Sequence, residues 1–321
     1  MVNNLSIVGI FCFIIFEIVS FIGILGNGFI LVVNGYQWFQ NRKMIPYDFL
    51  LTSLSTSRFI MELGFLINSS LYLIVNIKLY LFLDDVIFFS WMFFNMTSHW
   101  CATWLSVFYC MKVTNFANPL FLWLKAKINM LVPRLLGLSI AVFMVSCFPL
   151  LVDYFGHTKW CNLTETLPKN VSQRKVCGFA AVIFLPIQFP FYVLNLGLST
   201  ISIILLLVSL WRHTRNLKKS GVGVKDLRTQ VHIKVMAFLL FWFFFNFVDF
   251  IGVIVYADSI IHTIERDFTI IQGLLIGTWM SVFPSAHSII LILTNPKLKE
   301  KCTHFVKEMY AHIVSIGHST S

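Results

Sequence analysis

Charge is scarce in this 321-residue chain: only 12% of its residues are Asp, Glu, Lys or Arg. A soluble domain carries about 25%. The seven cysteines, at 12, 101, 110, 147, 161, 177 and 302, include no CxxC pair and no regular spacing. That pattern excludes a zinc ribbon and a disulfide framework. No HExxH, GxSxG or P-loop is present, the histidines are scattered, and so neither a catalytic set nor a metal or cofactor site is assigned. There is no internal repeat, no low-complexity segment and no room for a second folded domain. The first ~25 residues are apolar, but no basic segment precedes them and no small-residue cleavage site follows. They are read as an uncleaved membrane span.

What the chain has is apolar surface. Hydrophobic types make up 58% of it, including 34 Phe and 9 Trp, and the mean hydropathy is +0.80. A water-facing protein of this size cannot hide that much, which excludes a soluble enzyme, a disordered chain and a compact nucleic-acid-binding domain. A helix needs about 20 apolar residues to cross a ~30 Å hydrocarbon core. Seven stretches qualify: 7–33, 48–75, 82–113, 128–152, 179–211, 231–257 and 269–294. The expectation is one all-α, seven-transmembrane domain over 1–321, with a tail from 295.

Orientation follows from the basic residues. Of 24 Lys and Arg, 17 lie on the side holding the 34–47, 114–127 and 212–230 loops and the tail, six lie on the other side, and Arg58 is within a span. The net charge of +10 therefore reads as topology rather than nucleic-acid binding. Positive loops face the cytosol, so the N-terminus is expected outside and the tail inside. The sequons at Asn162 and Asn170 fall in the 153–178 loop, which becomes extracellular and able to carry glycans. Asn4 is outside but close to the first helix, and Asn68 and Asn95 lie within spans. Cys161 and Cys177 share the long loop, where a bridge between them is an open option. The buried-span cysteines read as inert packing residues.

Seven helices with an outside N-terminus and a basic third cytoplasmic loop fit a G protein-coupled receptor. A transporter or channel shares the helix count, but the inverted repeats and rows of polar residues of those classes are missing.

More specific signals follow the chain. Thr103-Trp104-Leu105-Ser106-Val107-Phe108-Tyr109-Cys110-Met111-Lys112, with Asn115 to Pro119 and Phe121 to Lys125, resembles the third helix and second cytoplasmic loop of bitter taste receptors, the taste receptor type 2 family. Gly26-Asn27-Gly28, Leu54-Ser55-Thr56-Ser57-Arg58, Ser209-Leu210-Trp211-Arg212-His213, Val231-His232-Ile233-Lys234 and Pro284-Ser285-Ala286-His287 are similar to other pieces of that family in the same order, as is Asn295 to Lys299. The likeness runs from about residue 20 to 300. The third helix lacks the Asp/Glu-Arg-Tyr ending of rhodopsin-like receptors. The related vomeronasal type 1 family is the nearest rival reading.

The resemblance implies a multi-pass plasma-membrane receptor that takes small bitter compounds, couples to a gustducin-like heterotrimeric G protein and uses no cofactor. Trp91 and Asn95 match the tryptophan and asparagine at the base of the family's pocket. His99 continues their four-residue spacing on one helical face. A flat indole and a donor–acceptor amide suit a site that is mostly apolar with a few orienting groups; an aromatic packing stripe is the plainer alternative. Gly277 stands where a larger seventh-helix pocket residue is expected, with Trp279 close by. Asp249 aligns with a pocket position of the sixth helix. It pairs with a cationic ligand, makes a structural hydrogen bond, or partners His99.

Three groups are assigned to packing or switching. Asn27 lies between two glycines that let a neighbouring helix approach, so its amide is expected to bond across the gap. Arg58 lies ~15 Å along the second span, where lipid exposure would cost ~2.5 kcal/mol or more, so it faces the interior. Glu62 is on the same face one turn later and can pair with it, in competition with partners on the first or seventh helix. Glu17 is a weaker ligand candidate. On the cytoplasmic face, Tyr109 and Lys112 end the third helix and His232 and Lys234 begin the sixth, the ends that in the family frame the Gα cavity. Basic residues there also attract anionic membrane lipid. Residues 297–313 read as a surface helix.

Overall fold

The computed structural model describes residues 7–42, 44–74, 77–114, 118–163, 180–219, 240–241, 243–248, 250–252, 254–255 and 270–319. All regular structure among them is helical. The helices are α1 (Ile7–Asn41), α2 (Pro46–Ile74), α3 (Ile77–Val113), α4 (Pro119–Leu163), α5 (Ala180–Lys219), α6 (Phe243–Gly252), α7 (Ile270–Thr294) and α8 (Pro296–Ser319). Each described helix up to α7 overlaps an expected span, and α1, α3, α4 and α5 run several residues longer than expected. The 45 residues of α4 extend about 68 Å, more than twice the hydrocarbon thickness. They carry helix to Leu163, into what the sequence read as the 153–178 loop.

Helix ends follow local chemistry. α1 stops where Arg42 turns to a φ of 53° and its N–H bonds Trp38 O at 2.9 Å, a left-handed cap. Pro46 opens α2 with Asp48 in the first turn, where a missing N–H costs nothing and a negative charge is favoured. Asn295 caps α8: its Oδ1 accepts from the N–H groups of Lys297 at 3.0 Å and Leu298 at 3.4 Å, and Pro296 takes the first helical position. The Lys125 Nζ bonds Thr114 O at 2.8 Å and so covers a carbonyl at the end of α3. Pro133, Pro149, Pro186, Pro190 and Pro284 all sit inside helices, which lipid-spanning helices tolerate when neighbours re-satisfy the freed carbonyls.

Five helices are long and apolar enough to cross a membrane among the described residues: Ile7–Gln40, Pro46–Leu71, Phe121–Val152, Pro186–Arg212 and Leu274–Thr294. Their outer faces are greasy stripes at seven-residue spacing, such as Phe11, Ile18, Leu25 and Val32 on α1 and Leu138, Val145 and Val152 on α4, all exposed. Polar residues go inward instead: Ser20, Asn27, Arg58, Glu62, Gln188, Ser281 and His287 are buried. This inversion is what a lipid solvent selects. α3 is not among the five. It is the central helix, packed against α2, α4 and α5, so it can carry Asn95, Ser98, His99, Thr103 and Ser106 without showing them to lipid. α6 is only partly described, and its apolar stretch is shorter.

Polar contacts tie the helices together. Thr103 of α3 donates to Asn195 Oδ1 of α5 at 2.9 Å and lies 3.0 Å from the Ser199 hydroxyl. The Trp104 indole donates to Ser139 of α4 at 3.1 Å. α1 and α7 approach closely at small residues: a Cβ on Gly23 would meet Ser285 Oγ at 2.5 Å, and that hydroxyl donates to Val19 O at 3.0 Å. Cys12, Cys101, Cys110 and Cys147 are buried and unpaired.

Candidate functional site

The four-residue spacing of Trp91, Asn95 and His99 puts all three on one wall of a small cavity inside the bundle. α2 contributes Arg58 and Met61 to it, and α7 contributes Met280, Phe283 and Pro284. Sulfur and aromatic carbon dominate the walls, with an amide, an imidazole, the Ser98 hydroxyl and one guanidinium set among them. The Asn95 amide donates to the Tyr192 hydroxyl of α5. His99 meets the Tyr192 ring edge-on, with centroids 4.9 Å apart. Phe88 lies 5.9 Å from the Trp91 ring and extends the aromatic wall.

Arg58 is 2% exposed. Its Nε donates to Ser98 Oγ at 3.0 Å and its NH1 to His287 Nδ1 at 2.5 Å, and its guanidinium carbon sits 5.2 Å from the centre of the Phe283 ring. The sequence offered Glu62 as its ion-pair partner, in competition with the first or seventh helix; the guanidinium's hydrogen bonds seen here go to Ser98 and His287, while Glu62 stays among its neighbours. Ser98 and His287 reach the guanidinium from α3 and α7, whereas Arg58 before Glu62 is the less favoured order along a helix. The Glu62 carboxylate is fully buried with neither oxygen hydrogen-bonded among the described residues. Its surroundings are Ser20, Ser281 and Arg58.

Other assigned residues have different surroundings from those read in the sequence. The Asn27 amide bonds Gly23 O of its own helix at 2.9 Å rather than a neighbour, while the flanking glycines do meet other helices: Gly26 faces Ser288 and Gly28 faces Phe59. Gly277 does not line the cavity; a Cβ there would lie 3.0 Å from Phe16 of α1. Glu17 accepts a hydrogen bond from Ser69 of α2. Tyr109 meets Tyr47 edge-on at 5.6 Å, and Lys112 is exposed with its Nζ 5.6 Å from the centre of the Phe108 ring. Asp249, His232, Lys234, Asn170 and Cys177 lie outside the described residues, as do the side chains of Cys161 and Asn162.

Sequence reading missed Met61, Ser98, Met280, Phe283 and Tyr192 as neighbours of the Trp91 face. Ser98 adjoins His99, and Met61 lies three residues after Arg58, so each follows an assigned residue along its helix. Tyr192 and Met280 carry no such signal, because only the packing of α5 and α7 brings them in.

A family model described as Taste receptor protein (TAS2R) matches residues 3–309. This chain belongs to that taste receptor family. The receptor is 34% identical over 288 residues to taste receptor type 2 member 7 of Mus musculus, covering 88% of this chain and 89% of the relative. It is 31% identical over 308 residues to member 119 of Rattus norvegicus, covering 92% and 85%, and 32% identical over 291 residues to member 8 of Homo sapiens, covering 87% and 89%. The match begins before and ends after the motifs that carry the resemblance. Together with the apolar helices it makes the protein a multi-pass membrane receptor of a family that is not one of enzymes.

Proposed function

We propose that this receptor detects small bitter compounds at the plasma membrane and signals through a gustducin-like heterotrimeric G protein. In this reading all seven expected spans cross the bilayer as one domain, with the N-terminus and the Asn162 and Asn170 sequons outside and the tail in the cytosol. The single observation that carries the ligand site is the convergence of Trp91, Asn95 and His99 on one interior cavity that also touches α2 and α7.

The chemistry there fits a small, partly apolar agonist. Trp91 and Phe283 offer flat faces for an aromatic ring. Asn95 can both donate and accept, and its bond to Tyr192 holds the amide plane still, so that orientation of an incoming polar group costs little reorganisation. An agonist acts only through what it binds better in the active arrangement than in the inactive one. A ligand lodged between α2, α3 and α7 can bias that equilibrium, because Arg58 joins the same three helices through Ser98 and His287. The cytosolic ends that carry Tyr109, Lys112, His232 and Lys234 then receive the Gα subunit. Asp249 adds a carboxylate to the pocket in this reading and favours amines.

The test is calcium release in cells expressing this chain with a promiscuous Gα, challenged with a panel of bitter compounds. Responses that need the Gα and lose about tenfold or more in potency on Trp91→Ala support the reading; one buried aromatic face contributes that much. Substrate uptake without any Gα requirement would make the protein a transporter instead.

A further inference from the structure

Glu62 of α2 points into the seam where α1 meets α7. Ser20 of α1 and Ser281 of α7 lie beside its carboxyl group, and their hydroxyls are 3.3 Å apart. The seam is tightly closed. A Cβ on Gly23 would stand 3.0 Å from the Glu62 carboxyl carbon and 2.5 Å from the Ser285 hydroxyl. Glu62 is fully buried, and neither of its oxygens has a hydrogen-bond partner among the described residues. Neither the Trp91 cavity nor its neighbour beside Tyr192 is bordered by Glu62. The occupant that asks for no volume there is a proton.

Charge points the same way. An ionised carboxylate away from water is costly unless donors meet its oxygens. A neutral carboxyl has one O–H to place, and the Ser20 or Ser281 hydroxyl can accept it. Arg58 lies one turn back on the same face of α2, yet the guanidinium's hydrogen bonds seen here go to two uncharged groups, Ser98 of α3 and His287 of α7. The other acid of α1, Glu17, accepts a bond from Ser69. His287 is the one titratable side chain of α7, and His99 and Cys101 are those of α3 near Arg58. Glu62 is thus the acid placed to answer Arg58 if the guanidinium turns.

We infer that Glu62 and Arg58 form a proton-linked switch: Glu62 holds a proton while Arg58 joins α3 and α7, and yields it when Arg58 turns back to pair with the carboxylate. The proton passes to water, and the two side chains go from one net positive charge to none. One guanidinium cannot serve both arrangements fully, so the proton and the joint between α2, α3 and α7 bias each other. Acid favours the joined arrangement. The inference needs no ligand and is independent of the bitter-compound reading.

The test is infrared spectroscopy of the full-length receptor in lipid nanodiscs at neutral pH. The wild type should show the carbonyl stretch of a protonated carboxylic acid that is lost in Glu62→Gln, whose amide has nearly the same shape and no proton to give up. His287→Leu takes one acceptor from Arg58 and frees the guanidinium to turn. The band should then be lost although Glu62 is present, so that the spectra of His287→Leu and of His287→Leu combined with Glu62→Gln coincide in that region. If His287→Leu does not fold, Ser98→Ala releases the other bond and should weaken the same band. A wild-type spectrum without a band that depends on Glu62 overturns the inference. So does a band that keeps its full strength when either partner of Arg58 is removed.

Discussion

The NH1 of Arg58 donates to Nδ1 of His287 at 2.5 Å across 229 positions of sequence. Arginine has donors only, so this ring nitrogen must accept, and the neutral imidazole then carries its hydrogen on Nε2. The same guanidinium donates to Ser98, which makes one side chain the joint between α2, α3 and α7 in the middle of the bundle.

Arg58→Ala should therefore cost about 3 kcal/mol or more, because it leaves buried acceptors on two helices without a charged donor. Arg58→Lys should recover less than half of the loss: a compact ammonium lacks the planar fork that serves both partners. Melting of the purified receptor and the fraction reaching the cell surface report this. An alanine variant that melts within a degree of wild type would show that the joint does not hold the bundle.

Two glycines of α1 should respond oppositely to the same change. Gly23→Ala forces a methyl within 2.5 Å of Ser285 Oγ and 3.0 Å of the Glu62 carboxyl carbon, and overpacking of that kind costs about 1–3 kcal/mol. A Cβ on Gly35 meets nothing within 4 Å, so Gly35→Ala should gain up to ~1 kcal/mol from helix propensity. Thermal melts of the two variants should shift with opposite signs.

Asn95→Ala and Tyr192→Phe remove the same hydrogen bond from opposite ends. Their effects on agonist potency should fall short of additive by about 1 kcal/mol. Dose–response curves for the two single variants and the double variant close this cycle. Full additivity would mean that the bond does not position the amide for ligand.

At the start of α8, Asn295 caps the helix and also donates to the Tyr47 hydroxyl at 3.0 Å, whereas Lys297 meets Asp48 at 3.4 Å with both side chains partly exposed. Asn295→Ala should cost ~1 kcal/mol or more. Lys297→Ala should cost a few tenths of a kcal/mol and less still in high salt. Melting curves at two ionic strengths rank the pair, and a larger loss at Lys297 would contradict it.

Much of this architecture is legible in the order of residues. Apolar runs of more than 20 residues can satisfy their backbone in lipid only as helices, so the five long apolar helices among the described residues follow from hydropathy. Pro46, Pro296 and Asn295 mark helix starts by rules that need no neighbour. The inward turn of Arg58 follows from the cost of a charge in lipid, and four-residue spacing places Trp91, Asn95 and His99 on one face. Helix lengths were less legible: the start and end of α4 extend past the apolar run, because helical backbone continues through polar residues wherever nothing breaks it.

Which residue answers which is a different matter. Glu62 is the near neighbour of Arg58 along the chain, yet His287 takes the bond. Gly277 looks like a pocket position and instead receives Phe16. Tyr192 joins Asn95 and His99 from 97 and 93 residues away. Spacing along a helix fixes direction around its own axis, and nothing in it fixes the rotation or height of the neighbouring helix. Those come from close packing of whole faces, where many small contacts act together, and so the partners of the polar side chains are decided only when the bundle assembles.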